Sequence, residues 1–519
     1  MENPLILTFD IGTQSMRGMF INKKGEIEDL EQFTYEQPYY SINPGWAEQH
    51  PDFYYEVLCK VSKNLTSRNK DLIKRTIAVS MTSFRDSAIC LDKENKPIRD
   101  LILWLDKREA RRSDLPTLPI FKQIAFALVG MSDTIKMQQR QSVCNWLMTK
   151  EKETWQKTNK FVVLSSYLNY KLTGNLVDCP ANQIAHLPFD YKNRRWMSER
   201  GLTRCLFDVP TEMLCDLIPS GETIGYINKE TAEISGITEG LPLIATGADK
   251  SCETLGLSVN TKSKAAISFG TAATIQFSTP DYFEPRPFAP SYPSVLAEKY
   301  NPEVQIYRGY WMLSWFKSEF AEKECEEAKK LGISAEEYLN RGLKDVPAGC
   351  EGLFVQPYWG PGVVTPNARG AMIGFTDIHT KKHIYRAIIE GIGFALMEGM
   401  YTMEKRGKQK IEEIYVGGGG SQSDEICQIT ANMFGLPVKR IQTHEACGIG
   451  AAMVAFVAKE EFENFDKAVV SMVRTKDVFT PDEKEHKIYA KLYKEIYSKL
   501  YDKLLPFNKK IKKLTKKED

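Results

Sequence analysis

The amino-acid sequence predicts an α/β protein made of two related halves, and three observations carry the prediction. Short apolar runs of strand length are mixed with stretches whose apolar residues recur at helical spacing. At 519 residues the chain is too long for one ordinary core and suits two or three domains. A Gly-Thr dipeptide also stands between two β-patterned runs at the head of each half, in FDIGTQSMRGMF and again in ISFGTAATIQF, as a duplicated unit would place it.

The elements follow in order. Ile6-Leu7-Thr8-Phe9 is a strand ending at Asp10-Ile11-Gly12-Thr13-Gln14-Ser15; Met16 to Ile21 resumes the pattern, and Asn22-Lys23-Lys24-Gly25 turns the chain into a third strand. Arg75 to Ser80 and Ala88 to Leu91 read as strands flanking Met81 to Ser87. Between Gln138 and Lys171 the spacing is helical, with Trp146, Leu147 and Trp155 on buried faces. Leu243 to Thr246 is apolar and leads into Gly247-Ala248-Asp249-Lys250, which puts a domain boundary near residue 246. Lys264 to Ser278 reads as strand, Gly270-Thr271, strand. Ile414-Tyr415-Val416 is a strand running into Gly417-Gly418-Gly419-Gly420, with a helix from Asp424 to Phe434. The expected division is therefore 1–246, 247–485 and a Lys-rich helical tail at 486–519, whose end from Phe507 reads as a solvated helix terminus.

Composition narrows the function. Lys plus Arg (69) nearly balances Asp plus Glu (67), which gives no case for a nucleic-acid partner. No run approaches the ~20 apolar residues of a membrane span, and Leu5 to Phe9 is too short for a signal-peptide core. The eleven cysteines include no C-x-x-C pair, so reduced thiols in the cytoplasm fit better than a disulfide framework.

Several residues stand out chemically. Asp10 closes an apolar strand and precedes a tight turn with two hydroxyls; such a turn can hold phosphate oxygens while the carboxylate holds Mg²⁺ through water, although an ordinary hairpin also explains it. No G-x-x-x-x-G-K-[ST] loop and no G-x-S-x-G elbow occur. Four glycines after Val416 let backbone lie against a ligand, and without one they are expensive in entropy. EACGIGAA is better explained by small residues opening a closely packed helix than by a dinucleotide fingerprint. His379 and His383 stand four apart without the Glu of a zinc motif, which speaks against a metal. Asp249 sits between an apolar strand and a helical pattern, where a helix cap competes with a functional role.

These segments together resemble the FGGY carbohydrate kinases, relatives of glycerol kinase and xylulokinase. TFDIGTQSMR is similar to that family's first phosphate motif, GWAEQ and LWLDKR to its GWxEQ and W-x-D-x-R segments, and GAMIGFTDIHTKKHIYRAIIEG to its second signature. VGGGGSQSD and EACGIGAA resemble its adenosine site. The resemblance covers Leu5 to about Pro481. It implies two actin-like (ribonuclease H-like) ATPase domains flanking a catalytic cleft, with sugar mainly on the first and ATP on the second. It also implies a small-molecule sugar or polyol as partner, no nucleic acid or membrane, and leaves room for a homodimer.

Carried over by motif, Asp249 is the general base, and Asp10 with Asp249 holds Mg²⁺ through water. Gly12, Thr13, Gln14, Ser15 and Arg17 face the ATP phosphates, as do Gly270 and Thr271. Gly418, Gly419, Gly420 and Ser423 border the nucleoside. Arg85, Asp86, Trp104, Asp249 and Lys250 line the substrate pocket. The sequence departs from the family at Val143, where a Lys is usual, and at Lys250, where glycerol kinases carry Gln and xylulokinases Asn. Arg85-Asp86 is nearer the Arg-Glu pair of glycerol kinases, and Asp249-Lys250 with Gly309-Tyr310-Trp311 looks most like a branch of uncharacterised sugar kinases.

The expected activity is transfer of the γ-phosphate of ATP to a hydroxyl, first of a ketose such as xylulose, then of glycerol, then of a sugar acid such as gluconate, whose carboxylate Arg85 and Lys250 would face together. The rival classes are an actin-like switch ATPase, for whose peptide-binding domain no length is left over, and a non-catalytic sensor, against which the retention of Asp10, Asp249 and both Gly-Thr turns speaks.

Overall fold

The structure is a computed structural model and describes residues 3–199, 201, 203–360, 362 and 365–515. The chain forms two compact units: residues 1–260, 291–301 and 445–474 in the first, and 261–290, 302–444 and 475–519 in the second. Residues 247–260 and 445–474 thus lie with the amino-terminal residues, whereas a cut at 246 assigns them to the carboxyl-terminal half.

The first unit is built on strands β1 (Leu5–Ile11), β2 (Ser15–Asn22), β3 (Ile27–Thr34), β4 (Thr76–Ser83), β5 (Thr223–Tyr226) and β6 (Pro242–Ile244), in sheet order β5-β6-β4-β1-β2-β3. Every residue of β1 is buried, Thr8 and Asp10 among them, and β1 takes the middle of the sheet, antiparallel to β2 and parallel to β4. That register sets Asp10 opposite Arg17 and beside Thr82. Thr82 donates to the Gly247 carbonyl at 2.8 Å and Thr246 donates to the Met81 carbonyl, which ties the chain entering the Asp249–Gly256 helix to the end of β4.

That helix packs on the Ala446–Ala458 helix. A Cβ on Gly450 would stand 1.9 Å from the Cys252 carbonyl oxygen and one on Gly256 1.9 Å from that of Ala446, so the two backbones touch. The small residues of EACGIGAA serve this contact. A smaller sheet runs Glu48–Gln49, Leu101–Ile102, Ala88–Leu91, Lys160–Val163. Its last strand corrects the all-helical reading of residues 138–171: helices cover Val143–Lys150, Lys152–Lys157 and Leu164–Thr173, with a strand between. Trp146 and Leu147 are buried as expected, and Trp155 is partly buried against the same cluster.

The second unit carries β7 (Lys264–Phe269), β8 (Ala273–Phe277), β9 (Glu303–Ile306), β10 (Glu413–Gly417), β11 (Val438–Ile441) and β12 (Thr475–Phe479), in order β9-β8-β7-β10-β11-β12. Both sheets run antiparallel, antiparallel, parallel, parallel, antiparallel from the β3 or β9 edge, so the duplication legible in the two Gly-Thr turns extends to whole sheets. The long Lys381–Gly407 helix carries the second half of the second family-like signature. Its Arg386 is buried and bonds to Glu390, the Leu343 and Val346 carbonyls and the Tyr489 hydroxyl, so this part of the signature is structural.

Beyond β12 the chain is helical over Glu483–Leu492 and Ser498–Leu514, with a π turn between; Leu500 and Asn508 are buried, Phe507 and Leu514 exposed, and the last four residues of the Lys-rich tail lie outside the described residues. Among the described residues no helix is long and apolar enough to cross a membrane. Among the described residues no disulfide joins the cysteines.

Candidate active site

Asp10 belongs to β1 and not to the turn that follows it. It is 9% exposed. Burial, with Glu445, Asp249 and Glu253 nearby, pushes its carboxyl up to about 7, against the opposing pull of Arg17. Arg17 reaches Asp10 Oδ2 at 3.8 Å and Glu445 Oε1 at 3.3 Å. In the turn, Gly12 N–H donates to the Ser15 carbonyl at 3.0 Å, and Thr13 Oγ1 accepts from Trp104 Nε1 at 3.0 Å; Gln14 is exposed. One hydrogen bond therefore joins an expected phosphate residue to an expected substrate residue.

Asp249 opens its helix without capping it: the cap position is Ala248, and Asp249 Oδ1 accepts from Lys250 N–H at 2.7 Å. The carboxylate keeps 30% of its surface open, yet burial raises its pKa, opposed by Lys250 and Arg85. Arg85 Nε stands 4.0 Å from Asp249 Oδ1. Lys250, expected on the substrate, donates instead to Glu253 at 2.8 Å. The structure thus brings Asp10, Arg17, Arg85 and Asp249 together within the first unit, with two more carboxylates, Glu253 and the Glu445 that opens EACGIGAA.

Asp86 holds φ +56°, and both its oxygens face His186. Burial raises the Asp86 pKa, but His186 and Arg85 outweigh it and leave it below the ordinary carboxylate range. For His186 burial acts downward, and Asp86 more than offsets it. His186 escaped the sequence reading because its partner is 100 residues away.

In the second unit, the Gly270 and Thr271 carbonyls accept from Tyr310 N–H at 3.1 Å and Trp311 N–H at 3.3 Å. Gly309 allows that approach, because a Cβ there would stand 2.2 Å from the Ala273 nitrogen. The departure at Gly309-Tyr310-Trp311 is therefore part of the second Gly-Thr turn.

Two of the glycines expected at the nucleoside have reasons inside the protein. Gly418 has φ +77°, and a Cβ on Gly420 would meet the Tyr310 ring at 2.5 Å. This corrects the argument that the run needs a ligand to explain it. Gly419 alone of Gly418, Gly419 and Gly420 has open space around it. Ser423 caps the Asp424–Phe434 helix, accepting from Ile426 N–H at 3.3 Å.

His379 bonds to Thr376 and the Cys350 carbonyl, and His383 to Thr380 and Glu351, so both imidazoles are structural. Among the described residues no group of three His, Cys, Asp or Glu is arranged to hold a metal directly. The surplus of carboxylates around Asp10 nevertheless fits Mg²⁺, which keeps most of its waters and needs only one or two carboxylates plus phosphate oxygens.

Family models match nearly the whole chain: the N-terminal domain of the FGGY family of carbohydrate kinases over residues 5–256 and its C-terminal domain over 265–459. A xylulose kinase of Lactococcus lactis is 28% identical over 494 residues, covering 92% of this chain and 93% of its own. The uncharacterized sugar kinase YgcE of Escherichia coli is 27% identical, covering 94% and 92%. Among solved structures, xylulose kinase from Lactobacillus acidophilus superposes with a TM-score of 0.82 at 21% identity, over 98% of this chain and 99% of that one.

Proposed function

The chain belongs to the FGGY family of carbohydrate kinases, and from that premise we propose that it phosphorylates a hydroxyl of a neutral ketose or polyol, with D-xylulose the first substrate to test. It is a phosphotransferase with an alcohol acceptor. The family uses ATP, generally with Mg²⁺. The observation that carries the substrate class is charge pairing: Arg85 faces Asp249 and Lys250 is held by Glu253. With each cation facing a carboxylate, a sugar acid gains little here and a polyhydroxyl compound finds both donors and acceptors. The named xylulose kinase relative points the same way. Gluconate, ranked third from the sequence, stays the alternative to test, since gluconokinases of Bacillus licheniformis and Bacillus subtilis are also among the relatives.

In this reading Asp249 accepts the proton of the attacking hydroxyl, and its raised pKa suits the task. Arg85 orients that hydroxyl. Phosphoryl transfer needs alignment and charge neutralisation more than covalent help. The N–H groups of the Gly12–Ser15 turn and Arg17 supply part of the neutralisation. Mg²⁺, held through water by Asp10 and Asp249, supplies the rest when bound. Gly270, Thr271 and Gly419 are the second-unit residues we assign to ATP. We place the enzyme in the cytoplasm, in line with cysteines that form no disulfide among the described residues.

The test is ADP release with D-xylulose, glycerol or D-gluconate, against a control without acceptor. Strong stimulation by a neutral acceptor supports the proposal; stimulation by gluconate alone overturns the substrate class.

A further inference from the structure

We propose that His186 sets acceptor specificity by presenting its Nε2 to one hydroxyl of the sugar bound beside Arg85 and Asp249. The inference rests on the substrate reading above and names one contact of the same site.

The geometry around His186 is over-determined. Asp86 occupies the left-handed backbone region at φ +56°, and its N–H donates to the Ile184 carbonyl at 3.1 Å. In return, His186 N–H donates to Asp86 Oδ1 at 2.9 Å, and the ring Nδ1 lies 2.9 Å from Oδ2. The segment that leads into His186 is held at its start by Asp178. That fully buried carboxylate accepts from Ser165, Ser166, Asn182, Gln183 and the Cys179 N–H. Phe207 meets the imidazole edge-on at 5.5 Å.

All of this orients one ring. Its Nδ1 is committed to Asp86, the side chain remains 24% exposed, and among the described residues Nε2 has no hydrogen bond. A strained residue and a buried polar network supporting one open nitrogen is the pattern of a pre-organised contact.

The chemistry of that nitrogen selects its partner. With Nδ1–H on Asp86, Nε2 accepts in the neutral imidazole and donates in the imidazolium. A hydroxyl satisfies both forms, whereas a carboxylate satisfies only the second. A site built to hydrogen-bond a hydroxyl discriminates strongly against an acceptor that presents it wrongly.

The experiment compares D-xylulose with D-ribulose and L-ribulose, each inverted at one carbon, in wild type, His186→Asn and His186→Gln. Asn retains a donor near Nδ1 and loses Nε2; Gln retains a nitrogen near Nε2. The expected result is that His186→Asn lowers kcat/KM for the preferred ketose about 10- to 100-fold, mainly through KM, and compresses the ratios among the three. His186→Gln recovers most of both, and the ATP KM stays unchanged. Unchanged ratios in His186→Asn, or equal losses for sugar and ATP, overturn the proposal. If His186→Asn does not fold, unaltered ratios in Asp86→Ala, which removes the acceptor that holds the ring, do the same. A wild type that phosphorylates none of the ketoses or glycerol defeats the substrate reading and this inference with it; a wild type active on one of them while the variant ratios stand still defeats this inference alone.

Discussion

Replacing Asp10 by Asn should stabilise the protein while abolishing turnover. Asp10 lies buried at the end of β1 among Asp249, Glu253 and Glu445, and its carboxyl titrates near 7 instead of 3.8. The unfolded chain ionises that carboxyl at a lower pH than the folded chain does. Its contribution is therefore fully present below pH ~4 and is lost as pH rises through about 7. About three pH units at 1.36 kcal/mol each amount to roughly 4 kcal/mol of destabilisation at pH 8, and about 1.5 kcal/mol at pH 5. Asn keeps the shape without the charge. At roughly 2 °C per kcal/mol, Asp10→Asn should melt up to about 8 °C above wild type at pH 8, and the gap should narrow to about 3 °C at pH 5. Scanning fluorimetry across that range measures it. A gap that does not change with pH, or a variant less stable than wild type at pH 8, would refute the electrostatic reasoning. Magnesium with ATP should close part of the gap by stabilising only the ionised wild type.

Three further outcomes are expected. Asp249→Asn should lower turnover at least ~10²-fold while nucleotide still binds, as single-turnover and binding assays will report; near-normal turnover removes the base assignment. Arg85→Ala should raise the sugar KM about tenfold or more and leave the ATP KM within about twofold, and equal effects on both would take Arg85 out of the sugar pocket. Gly419→Ala should fold normally yet raise the ATP KM, because its Cβ meets only open space, whereas Gly420→Ala should cost about 1–3 kcal/mol of stability against the Tyr310 ring; the reverse pattern in melting and kinetics would contradict the glycine assignments.

How much of this was legible beforehand depends on how local each cause is. The β1–β2 hairpin and the strand at Ala88–Leu91 were readable because apolar runs bounded by polar turns leave few alternatives. The Asp424–Phe434 helix followed from its spacing, and the structure adds its Ser423 cap. Lys160–Val163 was missed because four residues abutting a helix do not separate strand from helix by periodicity.

The remaining misses are long-range. Gly420 is small because of Tyr310, Lys250 is neutralised by Glu253 one helical turn on, and His186 matters through Asp86. Residues 445–474 return to the first unit after the whole second sheet but its last strand has formed, and no single segment signals that return. The two aspartates expected to share one magnesium–triphosphate do come within electrostatic reach, inside one unit.

The central claim is group transfer to a neutral sugar, and following the label of γ-³²P-ATP tests it most directly. With D-xylulose or another neutral acceptor present, the label should appear in a sugar phosphate, and Asp249→Asn should abolish that product. Label released only as inorganic phosphate, at the same rate with and without acceptor, would contradict the account.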